Sequence, residues 1–167
     1  MAGAGPWPGQ TPIEPLRVCD VLENLSAHDG KVIAIQGRYS FRENDRFLGE
    51  ETCGRALTAN DVVWPNALRV VFDPKTAPAP ARSLEFHAAS VYRNLKLIRE
   101  RTSLGKFRFG TVDYDRWAVV YGRIEVSKEF KAGTRPTAGR KSALEPAPAQ
   151  VISSGESTIL FISEEER

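Results

Sequence analysis

The stretch Gly30-Lys31-Val32-Ile33-Ala34-Ile35-Gln36-Gly37-Arg38-Tyr39-Ser40-Phe41-Arg42 decides the fold. With a period of two, Ile33, Ile35, Gly37, Tyr39 and Phe41 share one face, while Gln36, Arg38, Ser40 and Arg42 share the other. That alternation marks a half-buried strand, since successive side chains point to opposite faces. At about twelve residues the run is roughly twice as long as an ordinary strand. Gly37 sits in its middle, where a missing side chain lets the backbone bend or bulge. A small closed barrel needs a long first strand that bends, because that strand pairs along both of its edges.

A second long strand has the same design. From Trp117 to Ser127, Ala118, Val120, Gly122, Ile124 and Val126 share one face, and Trp117, Val119, Tyr121, Arg123 and Glu125 the other. Between the two, Glu43-Asn44-Asp45 is a polar turn cluster and Arg46-Phe47-Leu48 starts the return strand of a hairpin. An irregular stretch with Gly49, Gly54 and Trp64-Pro65-Asn66 follows. Ala67 to Phe72 is then a third strand, with Leu68, Val70 and Phe72 on one face. Prolines stiffen Asp73 to Ala81. Ser83 is placed to cap a helix that begins near Leu84, with Leu84, Ala88, Val91, Leu95 and Ile98 as its core stripe. Ala149 to Ile152 opens a last strand region, which breaks at Ser153-Ser154-Gly155 and resumes from Thr158 to Ile162. Ahead of all these, Val18, Val21, Leu22 and Leu25 make a short amphipathic helix, with Pro15 in its first turn and Gly30 just past its end.

The order is helix, three strands, helix, two strands, which is the connectivity of an oligonucleotide/oligosaccharide-binding (OB) barrel. The expected fold is therefore mainly β with helices: a five-stranded OB-like β-barrel with an N-terminal helix and a helix between strands 3 and 4. Residues 1–15 read as a flexible lead-in, 16–163 as a single barrel domain and 164–167 as an acidic tail.

Gly30-Lys31-Val32 through Gly37-Arg38 resembles the opening strand of OB domains. Further blocks resemble an uncharacterised bacterial family of OB-fold-like proteins. They are Val18-Cys19-Asp20-Val21-Leu22, Gly30-Lys31, Arg38-Tyr39-Ser40-Phe41-Arg42, Cys53-Gly54, Trp64-Pro65-Asn66-Ala67-Leu68 and Ala147-Pro148-Ala149-Gln150. The resemblance covers most of residues 16–152 and implies the fold but no activity. Members of that family often carry an export signal. Met1 to Gln10 has neither a basic n-region nor an apolar h-region, so the sequence as it stands reads as cytoplasmic, and as periplasmic or secreted if a signal sequence precedes it.

The 167 residues, 41 % hydrophobic and 26 % charged, have the composition of an ordinary globular domain large enough to bury its own core. No run of apolar residues is long enough for a membrane span. The net charge of +2 is unevenly spread: −2 over residues 1–90, +8 over 91–141 and −4 over 142–167. A basic middle third suits an anionic partner, although balanced solvation against the acidic tail accounts for it equally.

Catalysis needs convergent groups, and none is legible. His28 and His87 have no acid–base spacing, and a zinc set of Cys19, His28, Cys53 and His87 matches no ligand repeat. Gly133 to Ser142 has a phosphate-loop flavour at Arg140-Lys141-Ser142 but lacks the glycine spacing and the following helix. The expectation is no enzyme, no metal and no cofactor. A binding module is the better reading. In OB barrels the ligand lies on strands two and three, flanked by the loop between strands one and two and the loop between strands four and five. Here those loops supply Arg42 and Arg46, then Lys128, Lys131, Arg135, Arg140 and Lys141. Arg38, Arg69 and Arg123 lie on polar strand faces, and Phe47, Trp64 and Trp117 are candidate stacking rings, with core packing favoured for Phe47 and Trp117. Single-stranded nucleic acid or another polyanion is the favoured partner class, on fold analogy. The alternative is an exported interaction domain for protein or glycan, stapled by a Cys19–Cys53 disulfide. Bridging these cysteines would close a separation of 34 residues, a gain of about 3–4.7 kcal/mol by loop entropy; otherwise they are two buried thiols.

Overall fold

The structure is a computed structural model that describes residues 12–42, 45–50, 53–54, 57–59, 62–78, 84–101, 114–132 and 147–162. The elements are β1 (Leu16–Arg17), α1 (Val18–Glu23), α2 (Leu25–His28), β2 (Val32–Arg42), β3 (Asp45–Gly49), β4 (Leu57–Ala59), β5 (Val62–Trp64), β6 (Ala67–Phe72), α3 (Ala88–Arg101), β7 (Tyr114–Val126), α4 (Lys128–Ala132), β8 (Ala149–Ser153) and β9 (Ile159–Ile162). The expected lead-in (its residues 1–11), Ser83, most of the loop after residue 132 and the acidic tail lie outside the described residues.

Five strands close on themselves in the order β2-β3-β6-β8-β7, and β7 returns to β2. The β6–β8 pairing is parallel and the other four are antiparallel. This is an OB-like barrel with two extra strands: β1 runs parallel to β2 at Ile35 and Gln36, and β9 lies against β7 from Trp117 to Val120. A separate short hairpin, β4–β5, occupies the stretch that reads as irregular in sequence.

The length of β2 is used on both edges. It pairs with β7 from Val32↔Arg123 to Phe41↔Tyr114, and from Arg38 onward its other edge pairs with β3. Gly37 and Gly122 sit where the sheet leaves no room for a side chain. A Cβ on Gly37 would meet the Gly49 carbonyl oxygen and Val18 Cγ2, each at 2.8 Å. One on Gly122 would run into the Ile152 carbonyl oxygen and Val151.

Alternation on these strands builds two cores, one on each side of the sheet. Inside the barrel, Ile35, Tyr39, Leu48, Leu68, Val70, Val120, Ile124 and Val151 pack together with Val18, Val21, Leu22 and Leu25 of the N-terminal helices. Outside it, Ala34, Trp117 and Val119 pack against Val91, Leu95 and Ile98 of α3. Gln36, on the outward face of β2, donates from Nε2 to the Val91 carbonyl at 2.8 Å and fixes α3 over this face.

Helix α3 starts at Ala88, not near Leu84 as its periodicity suggests. Ahead of it, Phe86 forms a parallel bridge to Ile13, with Ile13 N–H donating to Glu85 O and His87 N–H to Ile13 O, each at 2.8 Å. That pairing holds residues 85–87 extended. The His87 ring then accepts from Ser90 N–H at 3.3 Å and caps the first turn. The N-terminal amphipathic segment is likewise split, with Leu16–Arg17 paired as β1 and Asn24 separating α1 from α2. Gly30 follows with φ +80°, a left-handed conformation that glycine adopts without a Cβ penalty. Cys19 and Cys53 are joined by a disulfide, with Cα atoms 5.4 Å apart, tying α1 to the segment after β3.

Candidate functional site

The barrel has two unlike ends. At the end where β2 begins, α1 and α2 supply Val18, Val21, Leu22 and Leu25 to the interior. Asp29, after α2, accepts from Val126 N–H at 3.0 Å, and Gly30 N–H donates to Ile124 O at 2.8 Å, both at the end of β7. Trp64, just before β6, packs edge-on against Phe130 of α4 with ring centroids 5.4 Å apart.

At the other end the inward-facing positions run out in rings and cations. The register puts Phe41 opposite Arg46, and Phe72 lies two residues beyond Val70, which also faces Arg46. The Arg46 guanidinium carbon lies 4.4 Å from the Phe72 ring centroid and 5.2 Å from that of Phe41. Arg116, opposite Tyr39, lies 4.2 Å from the Phe161 centroid. Phe161 in turn meets Tyr39 edge-on at 5.3 Å, and Tyr39 is the buried floor of the group. Phe41, Arg46, Phe72, Arg116 and Phe161 are all half-buried. Among the described residues Arg46 makes no hydrogen bond or ion pair, so its N–H edge is uncommitted. A guanidinium held over a ring is restrained in place while its N–H donors stay available to an anion.

The cations singled out from the sequence do not form one patch. Arg46 belongs to this mouth. Arg38, half-buried, and Arg69, exposed, lie on the outer face of the sheet, and Arg69 pairs with Asp45 at 3.0 Å. Arg123, also outward, donates to the Thr76 carbonyl at 2.7 Å. Lys128 and Lys131 are on the short helix α4 at the closed end. Lys131 holds Asp29 at 2.7 Å; that bond, then the one from Val126 N–H, keeps the Asp29 carboxyl below the usual carboxylate range. Arg42 ends β2, but its side chain, like Arg135, Arg140 and Lys141, lies outside the described residues.

The stacking expectation for Trp64 is corrected by its burial. At 2 % exposure the indole fills the closed end and has no face to offer a base. Phe47 at 1 % and Trp117 at 2 % are packed, and Phe47 faces outward on the strand that was expected to carry the ligand surface. The outer face of β3 is therefore not open at that position. The zinc set weighed from the sequence does not assemble either: Cys19 and Cys53 are bonded to each other, His28 contacts the Asn24 carbonyl and His87 caps α3.

Sequence reasoning missed Phe41, Phe72, Arg116 and Phe161. The available signal was positional: Phe41 and Phe72 are the last apolar positions of their inward faces, which places them at a barrel end. Among the described residues no helix is long and apolar enough to cross a membrane. No protein-family model, curated protein or solved structure matches the chain.

Proposed function

We propose that the protein is a non-catalytic binding module that takes an anionic ligand at the barrel mouth, with single-stranded nucleic acid as the favoured class. One observation carries this reading: Arg46 lies over Phe41 and Phe72 with its hydrogen-bonding edge uncommitted among the described residues. Single strands are bound by this combination, cations tracking the phosphates and planar groups stacking on the bases. A second reading, an exported domain that binds protein or glycan, is favoured by the Cys19–Cys53 disulfide, because such bonds persist in oxidising compartments.

Fluorescence anisotropy tests both. The protein is titrated into labelled single-stranded DNA, single-stranded RNA and a sulfated glycan over a range of salt concentrations. Binding to the oligonucleotides should weaken with salt, and Arg46→Ala should reduce the log–log slope by about 0.7 if one phosphate contact is lost. Arg46→Lys should restore part of the salt dependence and little of the affinity, since lysine lacks the planar fork. No oligonucleotide binding at low salt, or binding unchanged in Arg46→Ala, overturns the nucleic-acid reading. Tight binding to the glycan alone would establish the second.

A further inference from the structure

We propose that Cys19, Cys53 and Glu50 form a redox-gated site for a thiophilic divalent cation of the zinc class, closed while the disulfide stands and opened by thiol reduction. The two sulfurs and a carboxylate oxygen of Glu50 lie within 4.8 Å of one another. Glu50 is 5 % exposed, unusual for an acidic side chain. Its Oε2 accepts from Cys19 N–H at 2.7 Å and its Oε1 faces the Arg17 guanidinium at 3.5 Å. These two contacts, to the Cys19 amide in α1 and to Arg17 of β1, hold the carboxylate beside the sulfurs. The same carboxylate that serves the Cys19 amide and Arg17 can supply the oxygen ligand of a thiolate–carboxylate cation site.

The chemistry balances. Exchange with an external dithiol breaks the Sγ–Sγ bond, leaving two thiols on the chain and one disulfide on the reductant. Cation binding then releases both thiol protons to solvent. Two thiolates and one carboxylate carry three negative charges, which the divalent cation and Arg17 neutralise together. Zinc–sulfur bonds of about 2.3 Å in a tetrahedral site put the sulfurs about 3.8 Å apart. With the Cα atoms at 5.4 Å, rotation of the two cysteine side chains can open that gap. Cys53 is half-buried, so reductant and cation approach from its side, where water completes the coordination. Neither histidine takes part. The set pairs Glu50 and Cys53, three residues apart after β3, with Cys19 on α1.

The test uses the full chain, oxidised or reduced with a water-soluble phosphine, without oxygen. Co2+ is the spectroscopic probe, and Zn2+ affinity is read by competition with a chromogenic chelator. The reduced protein should bind one equivalent and show thiolate-to-cobalt charge-transfer absorption; the oxidised protein should show neither. Glu50→Gln should keep the charge-transfer band but bind at least about tenfold more weakly. Cys53→Ser should lose tight binding. Circular dichroism is recorded throughout: if reduction unfolds the chain, Zn2+ must restore the native spectrum in the wild type and not in Cys53→Ser. Failure of the reduced wild type to bind stoichiometrically, failure of Zn2+ to refold a reduction-unfolded chain, or wild-type affinity in Glu50→Gln overturns the proposal.

Discussion

At one end of the barrel, Val18, Val21, Leu22 and Leu25 enter the interior from α1 and α2; at the other, the interior ends in Phe41, Phe72 and Phe161 with Arg46 and Arg116 laid over them. Both ends continue the same inward-facing rows of the same strands. What changes is access to water. Where helices cover the rows, aliphatic side chains suffice, because every atom is removed from solvent. Where the described residues leave the rows partly open, a residue with an apolar stem and a charged head fits better. Arginine covers the rings and keeps its head hydrated. The aliphatic end is thus built for stability, and the arginine–aromatic end accepts exposure that stability alone would not favour.

The largest test of this contrast is a truncation at each end. Leu22 is 4 % exposed within the interior cluster, and Leu22→Ala should cost about 2–5 kcal/mol of unfolding free energy through lost burial and a cavity. Arg46→Ala at the mouth should cost under about 1 kcal/mol, the scale of one exposed cation–π contact. Urea midpoints measure both, and equal shifts would erase the distinction between the ends. Next in size come the glycines that let the long strands close. Gly122→Val should destabilise by about 1–3 kcal/mol or more, because its Cβ meets backbone at Ile152. Gly37→Val should cost less, because the carbonyl oxygen its Cβ meets, that of Gly49, lies at 2.8 Å and that of Ile152 is closer still to a Cβ on Gly122. Reversal of that order would place the tighter closure on β2. The smallest effect is the pH response of the closed end. The Asp29 carboxyl is held below its ordinary value by Lys131 and Val126, so its contribution is present above the unfolded-state pKa near 4 and is lost as pH falls through the lower folded value. Asp29→Asn should flatten the decline of stability below about pH 4. The accompanying loss at neutral pH should be under about 1 kcal/mol, as for a largely exposed pair. Parallel pH–stability curves for the two proteins would remove Asp29 from the account.

Much of the fold was legible because strand alternation and helix stripes are local. Ile33 to Phe41 and Ala118 to Val126 declared their inward faces, and Val91, Leu95 and Ile98 declared the buried stripe of α3, whereas Ala88, expected in that stripe, is exposed in its first turn. Leu84 continued that stripe by spacing yet lies outside the helix, since the Ile13–Phe86 bridge is a tertiary contact that no periodicity reports. The β4–β5 hairpin escaped because three-residue strands are too short to show a period. The mouth escaped for another reason. Arg46 was visible as a cation, but its partnership with Phe72 depends on the β3–β6 register, and the meeting of Phe161 with Tyr39 depends on where β9 docks on β7. The basic middle third misled in the same way: residues close in sequence, such as Arg123 and Lys131, end up on different elements with separate internal partners.

The closing pairing of β2 with β7 also bears on how the chain is made. Gly37 lies opposite Ala118, 81 residues later in the sequence (118 − 37). At synthesis rates of about 5–20 residues per second, β2 leaves the ribosome roughly 4–16 s before the strand that completes the barrel. During that interval one whole edge of an eleven-residue strand has no native partner. Contacts at such separation also carry a large loop-closure cost before they return any stabilisation, which slows folding. The hairpin with β3 and the short parallel pairing with β1 need only nearby residues, so they are the contacts that can cover the remaining part of β2 while β7 is still being made.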